Sequence, residues 1–177
     1  MQHESGPASS SATAVVRVTA DDWADLRAVR LRALADAPSA FSSSFDREAA
    51  WPDDKWQTWA ADSERGERQA TFWALDQADP IGMVFAVVAD ANTVNLHGLW
   101  VDPGSRNADV GAALCSAVIR WAEEHRRPRV RLHVAEANEP ARGLYRKLGF
   151  TSTARARRPQ SDDSVRHLEM VRVGQPG

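Results

Sequence analysis

The sequence predicts an α/β fold in which helices flank a mixed β-sheet, in the order β-α-α-βββ-α-β-α-ββ. Three observations predict this fold. Segments with apolar residues at helical spacing alternate with short segments that have the two-residue period of strands. Three strand-like segments follow one another across short turns, as in an antiparallel meander. The next strand comes after a helix, and this order requires a crossover and therefore a parallel pair.

The length of the chain fits one domain. A chain of 177 residues that was split in two would leave each half too small to bury an adequate core. Residues 1–13 show no periodicity, so we expect a disordered tail followed by a single domain over residues 14–177. Apolar residues make up 43% and charged residues 26% of the chain, which excludes a wholly disordered or collagen-like protein.

The cysteine content and the hydropathy pattern favour a cytoplasmic protein. Cys115 is the only cysteine, which excludes an internal disulfide and any metal site built from several cysteines. No apolar run approaches the roughly 18 residues of a membrane helix. Residues 1–13 also lack the basic start and apolar centre of a signal peptide. We therefore expect no membrane partner, no DNA partner and no metal ion.

Charge is distributed unevenly along the chain. The formal net charge is -2, but residues 1–105 hold 8 basic and 16 acidic side chains, whereas residues 106–177 hold 14 and 8. This asymmetry suggests that the second half meets an anionic ligand, and solvated surface charge is the alternative.

The first predicted elements are a strand and a helix. Residues 14–18 form a short apolar strand. Thr19, with Asp22 three positions later, has the capping-box pattern of a helix of about four turns that ends before Pro38. The apolar face of this helix contains Trp23, Leu26, Val29 or Arg30, Ala33 and Leu34.

Residues 39–67 form a covering segment outside the regular alternation of strands and helices. Asp53 or Asp54 is placed to begin a second helix within it. The aromatic side chains of the segment are Phe41, Phe45, Trp51, Trp56 and Trp59. Together with its acidic residues they suit a cationic or apolar amine, and they equally suit helices that only pack against a sheet.

Three strands and a parallel crossover come next. The strands of the meander are predicted over residues 71–75, 81–89 and 93–101. An Asp-Pro-Gly turn then opens a helix, and a strand over residues 129–134 follows the helix breaker Pro128. The apolar face of the crossover helix contains Val110, Ala113, Leu114, Ala117, Val118 and Trp121.

The last elements are a helix and a hairpin. Asn138 is placed as the N-cap of a helix over residues 139–148, and Gly149 is placed to end it. Two last strands are predicted over residues 150–157 and 164–173, with a turn over residues 158–163 between them.

Residues 96–113 form the first candidate functional segment. A strand runs through a Pro/Gly turn into a helix, whose free N–H groups and partial positive charge attract an anion. Phosphate is the natural ligand of such a helix N-terminus, and Arg106 at the turn adds positive charge. Helices that serve only as scaffold also begin in this way.

A second motif makes the pattern specific. Residues 138–150 have the sequence NEPARGLYRKLGF and directly follow a predicted strand. Residues 101–111, VDPGSRNADVG, lie earlier in the chain, before the crossover helix and that strand. Together these motifs resemble those of the GNAT superfamily of N-acetyltransferases. The order of the elements extends the resemblance over residues 15–173.

The resemblance implies a splayed pair of parallel strands that holds an acyl-coenzyme A as co-substrate. The pantetheine arm would lie in the gap between residues 99–101 and 132–134, pairing with Val101, and the N–H of Leu99 would stabilise the oxyanion of the thioester. The phenol of Tyr145 would protonate the departing thiolate. The residues that the resemblance assigns to coenzyme binding are Leu99, Trp100, Val101, Arg106, Asn107, Ala108, Asp109, Val110, Gly111, Ala112, Asn138 and Arg142.

The position of Tyr145 supports this role on physical grounds. It shares a helix face with Ala141, Leu144 and Leu148, so its ring lies in the core and its hydroxyl can reach the cleft. A phenol has a pKa near 10 and a thiol one near 8.5, so proton transfer needs no large tuning. A packed aromatic without a catalytic role is the alternative.

The expected phosphate loop departs from the family's pattern. Family members carry R-G-x-G-x-G/A, whereas residues 106–111 are RNADVG, with Asp109 where a glycine would let the backbone approach a phosphate. Three explanations compete: Asp109 turns outward and leaves coenzyme binding intact, the donor is an aminoacyl-tRNA without a pyrophosphate, or the site is degenerate. An RNA donor would bind the basic second half of the chain.

The sequence identifies the general base least well. His97 has an ordinary pKa of about 6.5, and strand alternation points it the same way as Leu99. A half-buried structural histidine is the alternative, and a water chain, Asp46 or Glu48 would then take the proton. His133 lies on the neighbouring strand, but a metal shared with His97 would need a third ligand.

The sequence thus predicts an N-acyltransferase that moves an acetyl or acyl group from acyl-coenzyme A to a primary amine of a small molecule by direct attack. An aminoacyl-tRNA is the alternative donor, and a degenerate binding module is the non-enzymatic alternative. Many relatives form dimers, so a homodimer is also an expectation, with no surface assigned to it.

Overall fold

The computed structural model describes residues 13–106, 108–158 and 164–174. Nearly all of the expected tail over residues 1–13 and of the turn over residues 158–163 lies outside these ranges. The elements are β1 (Ala14–Arg17), α1 (Trp23–Asp36), α2 (Phe45–Ala49), α3 (Asp53–Arg65), β2 (Gln69–Asp76), β3 (Asp79–Val88), β4 (Thr93–Val101), α4 (Ala108–Glu124), β5 (Arg129–Ala135), α5 (Glu139–Lys147), β6 (Thr151–Arg157) and β7 (His167–Val173).

The strands of the described residues form one sheet in the order β1-β2-β3-β4-β5-β7-β6. Every neighbouring pair is antiparallel except β4 and β5, which are parallel and are connected through α4. The predicted α/β fold is therefore confirmed. One element was not predicted: the short helix α2, which begins after Ser44, whose side chain accepts a hydrogen bond from the Arg47 N–H at 3.4 Å.

Apolar side chains cover both faces of the sheet. On one face, Leu114 and Val118 of α4 pack with Leu132 of β5 and with other buried residues of the sheet. On the other face, Leu26 of α1 and Trp56 of α3 pack with sheet residues in a second cluster. The mixed sheet thus lies between two layers of helices. None of the described helices is long and apolar enough to cross a membrane.

The helix ends use the predicted capping residues. Thr19 and Asp22 form a capping box, in which the Thr19 N–H donates to Asp22 Oδ2 at 2.7 Å. Asn138 Oδ1 accepts a hydrogen bond from the Ala141 N–H at 3.2 Å, which caps α5. Gly149 follows that helix in the left-handed conformation, with φ of 86°, and ends it.

The parallel strands β4 and β5 splay apart, as predicted. Their pairing ends at Asn95 and Arg131, although β4 continues to Val101 and β5 continues to Ala135. The edges of the two strands beyond the last pair therefore face a gap.

Candidate active site

Two cavities meet at the gap between β4 and β5. The helix-α5 groove has a volume of about 610 Å³, and its lining includes Leu99, Trp100, Val101, Arg106, Gly111 and Asn138. The aromatic cavity, of about 550 Å³, lies beside the covering segment, and its lining includes Phe41, Trp51, Trp59, His97, His133 and Arg157. Leu99 lines both cavities. A molecule in one cavity can therefore meet a molecule in the other at this residue.

The backbone of β4 offers hydrogen-bond donors to the groove. The Asp102 N–H donates to the Ile81 carbonyl of β3 at 2.8 Å. Because successive N–H groups of a strand point to opposite sides, those of Leu99 and Val101 point away from β3 and into the gap. An extended ligand in the groove can thus pair with β4 as a further strand would.

The structure brings together half of the residues assigned to coenzyme binding. This half consists of the six groove residues named above. Of the others, Val110 is buried at 3% exposure, Asp109 is exposed, and Ala112 is partly buried outside the groove lining. Arg142 donates to the Glu136 carbonyl oxygen at 3.0 Å. Asn107 and the side chain of Ala108 lie outside the described part of the chain.

Asp36, which was not predicted as a site residue, holds Arg106 at the wall of the groove. The Arg106 guanidinium forms an ion pair with the carboxylate of Asp36, and its Nε donates to the Val101 carbonyl oxygen at 3.1 Å. Asp36 also accepts a hydrogen bond from Trp100 Nε1 at 2.9 Å. No sequence signal connects Asp36 to Arg106, because the two are 70 positions apart.

A β-bulge at Gly98 changes the direction of the side chains along β4. Phe85 pairs with His97, and Met83 pairs with Trp100, so two residues of β4 oppose one residue of β3. Gly98 has φ of +64°, and a Cβ atom there would lie 2.5 Å from Phe85 Cε1. The position therefore requires glycine.

The bulge overturns the predicted orientation of His97. Leu96 packs against the α4 side of the sheet, and beyond the bulge Leu99 does so as well, which places His97 and Leu99 on opposite faces. His97 stacks on Phe85, with ring centroids 5.4 Å apart. Its ordinary pKa is also not retained, because burial, with a smaller contribution from Arg157, lowers the pKa to about 4. The imidazole is therefore neutral at pH 7 and is a weak base.

The covering segment supplies the apolar wall of the aromatic cavity. Trp56 and Trp59 of α3 stack with ring centroids 5.7 Å apart, and Trp51 lies 6.1 Å from Trp59. Trp59 meets Phe85 of β3 edge to face at 5.1 Å. Trp51, Trp59 and Phe85 line the cavity, whereas Trp56 is fully buried.

A buried ion pair also lines the aromatic cavity. Arg30 Nε and Nη2 donate to the two carboxylate oxygens of Glu48, each at 2.8 Å, and the side chains are 5% and 2% exposed. The Arg30 guanidinium also lies over the Phe41 ring at 4.9 Å. Glu48, proposed above as a substitute base, is therefore engaged by Arg30. Asp46, the other substitute, is exposed and does not line the cavity.

Tyr145 lies where the two cavities approach each other. It lines the aromatic cavity together with Leu99, it is 6% exposed, and its ring meets Phe150 edge to face at 5.8 Å. Burial raises the pKa of its phenol above the ordinary value of about 10. The hydroxyl is therefore protonated at neutral pH, but the raised pKa also makes it a weaker acid than the match with a thiol in the sequence analysis implied.

The remaining titratable groups near the site include His133, Glu169 and Cys115. Burial, followed by Arg157, lowers the pKa of His133 to about 4, and its Nε2 lies 3.9 Å from Glu169 Oε2. Among the described residues, no group of three or more His, Cys, Asp or Glu side chains is placed to hold a metal ion. Cys115 is buried, and this burial raises its pKa to about 12.

The low histidine pKa values predict a pH-dependent stability. An unfolded histidine has a pKa of about 6.5, so below that pH the unfolded chain binds protons that folded His97, with a pKa of about 4, does not. The stability contributed by neutral His97 is complete above pH 6.5 and is lost as the pH falls towards 4. We expect the free energy of unfolding, measured with urea, to decrease between pH 7.5 and pH 4.5 in both proteins. The decrease should be smaller in the His97→Gln variant than in the parent. Equal losses in the two proteins would refute the assignment.

A family model described as the acetyltransferase (GNAT) family matches residues 31–150. A mycothiol acetyltransferase from Thermomonospora curvata is 33% identical over 93 residues, which are 52% of this chain and 27% of that protein. The matched part thus spans about a quarter of the length of this curated relative.

The similar structures agree with the fold. A GNAT-family acetyltransferase from Streptococcus pneumoniae has a TM-score of 0.78 at 19% identity and covers 92% of this chain and 99% of its own. An acetyltransferase from Salmonella typhimurium, solved with acetyl-CoA, has a TM-score of 0.75 at 16% identity, with coverage of 93% and 95%. Both structures carry the fold described above.

Proposed function

The chain belongs to the acetyltransferase (GNAT) family, and from this premise we propose that it transfers an acetyl or short acyl group from acyl-coenzyme A to a primary amine of a small molecule. The observation that carries the proposal is the gap between β4 and β5, where Leu99 lines both the helix-α5 groove and the aromatic cavity. In this proposal the groove binds the acyl donor and the aromatic cavity binds the amine.

The groove residues fit the donor. The N–H groups of Leu99 and Val101 point into the gap and are placed to bind an amide-bearing pantetheine arm. The N-terminal end of α4 supplies partial positive charge for the pyrophosphate, and Arg106, which is paired with Asp36, lines the same groove and offers N–H donors. Asp109 is exposed in the first turn of α4, which favours the explanation that its carboxylate turns outward. The thioester supplies the activated acyl group.

The residues around Leu99 fit direct attack. The Leu99 N–H binds the carbonyl oxygen of the thioester and stabilises the negative charge that develops there when the amine attacks. Tyr145, whose phenol is kept neutral by burial, donates a proton to the leaving thiolate. His97 lines the amine cavity in its neutral form, but its pKa of about 4 makes it a weak base, so in this proposal a water chain takes the proton of the attacking nitrogen.

A thermal-shift titration tests the donor assignment. A ligand present at 100 times its dissociation constant stabilises the fold by about 2.7 kcal/mol, so we expect acetyl-CoA and coenzyme A to raise the unfolding temperature by several degrees. Bulk tRNA should leave it unchanged. The proposal fails if neither coenzyme shifts the unfolding temperature, and a salt-sensitive shift with tRNA would favour an aminoacyl-tRNA donor.

A further inference from the structure

Among the described residues, the side chains that line the aromatic cavity include more arginines than carboxylates. Its lining holds Arg30, Arg47 and Arg157 but, among the described residues, a single carboxylate, that of Glu48. Glu48 is bound on both oxygens by Arg30, so this pair is neutral as a unit. Arg47 and Arg157 remain as the net charge of the cavity. Its electrostatic character is thus opposite to that expected from the acidic residues of the covering segment.

Arg157 is placed to bind an anion. It lies on β6, and its Nη2 contacts Ser42 Oγ at 3.4 Å. In the described parts of the chain no carboxylate lies within ion-pair distance of it. Desolvation and the like charge of Arg131 lower its pKa, although an arginine stays charged at neutral pH. Arg157 is also exposed, and an anionic ligand group would offset its repulsion from Arg131.

A buried histidine adds an unpartnered polar atom to the same cavity. His167 of β7 lines the cavity and is 2% exposed. Burial lowers the pKa of His167 against a backbone hydrogen bond to Ser39, so the ring is neutral, and its Nε2 is buried without a hydrogen-bond partner among the described groups. A buried polar atom without a partner is costly, so a ligand that bonds it gains affinity. Arg157 and His167 belong to paired strands, where the two residues lie in register.

We propose that the amine acceptor of this enzyme carries an anionic group, a carboxylate or a phosphonate-like oxyanion, and an apolar body. The anionic group pairs with Arg157, a hydrogen-bond donor of the ligand reaches Nε2 of His167, and the apolar body packs on Trp51, Trp59 and Phe85. The amine then faces Leu99. This inference rests on the proposed function, because it assigns the aromatic cavity to the acceptor. Polycationic amines are excluded from this cavity by Arg47 and Arg157.

Four probes that share one apolar body test the charge requirement. They are phenylalanine, its phosphonic acid analogue, phenylalaninamide and phenethylamine, each titrated by calorimetry into the protein saturated with coenzyme A. We expect at least one of the two anionic probes to bind 10-fold or more tightly than both neutral-group probes, and the tighter anionic probe identifies the oxyanion. Equal binding of the four probes, tighter binding of the neutral-group probes, or no binding by any of them overturns the inference.

Matched arginine variants assign the charge to its residue. Arg157→Gln should remove the preference for the anionic probe and leave the affinity for coenzyme A unchanged. Arg155→Gln removes an exposed arginine of the same strand that does not line the cavity, and it should keep the preference. If coenzyme A binds and the acetyl group passes to phenylalaninamide as readily as to phenylalanine, the inference fails while the proposed function stands. If coenzyme A does not bind, the proposed function fails, and the four probes titrated without coenzyme still decide the charge of the cavity.

Discussion

Replacing Tyr145 with phenylalanine is expected to lower kcat by about 100-fold or more, because a positioned general acid typically contributes a factor of about 10² to 10⁴. The variant keeps the aromatic ring that packs against Phe150, so the fold and the groove should be retained. The dissociation constant for acetyl-CoA, measured by calorimetry, should stay within about threefold of the parent value. Rates are measured with an accepted amine at saturating acetyl-CoA, from the thiol released.

Two further measurements separate chemistry from packing. Phe150→Leu disturbs the same ring contact without removing the hydroxyl, so it should lower the free energy of unfolding but change kcat only a few-fold. Tyr145 is the single tyrosine of the chain, so the absorbance of tyrosinate reports on this residue alone. Because burial raises the pKa of Tyr145, the folded protein should show no tyrosinate at pH 10. A Tyr145→Phe variant with full kcat would rule out the acid role.

Removing Glu48 is expected to destabilise the fold by about 3 to 5 kcal/mol, because it leaves the Arg30 guanidinium buried without its counter-ion. Arg30 is 4% exposed and loses two hydrogen bonds of 2.8 Å in Glu48→Ala. The loss should lower the unfolding temperature by roughly 10 °C for a domain of this size. The measurement is urea unfolding followed by circular dichroism.

A double variant tests whether the charge, rather than the packing, is responsible. Arg30→Met combined with Glu48→Leu replaces the pair with apolar groups, so it should be less destabilised than Glu48→Ala alone. Asp46→Ala changes an exposed acid of the same helix, α2, and should alter stability by less than about 0.5 kcal/mol. A Glu48→Ala variant within 1 kcal/mol of the parent would show that the buried charge is solvated in some other way.

The parts of the fold that the sequence predicts are those set by local pattern. The period of apolar residues predicts the strands and the crossover, and the caps at Thr19 and Asn138 depend on side chains a few positions from the helix start. Helix α2 was not predicted because its five residues are too few to show a helical period. The isolated Gly98 within a strand pattern was the available signal for the bulge.

The features of the site that were not predicted depend on contacts between distant segments. Asp36 reaches Arg106 across 70 positions, and the low pKa of His97 arises from burial in the folded chain. The charge of the aromatic cavity depends on which side chains turn inward. Arg47 and Arg157 line it, whereas Asp46 of the acidic covering segment does not. Composition alone therefore does not give the charge of the cavity lining.

The measurement that tests the central claim most directly is a crystal structure of the protein with acetyl-CoA. The account predicts that the pantetheine arm lies between β4 and β5, with the thioester oxygen within hydrogen-bond distance of the Leu99 N–H and the sulfur facing the Tyr145 hydroxyl. Coenzyme bound outside the helix-α5 groove, or strands β4 and β5 paired beyond Asn95 and Arg131, would contradict it.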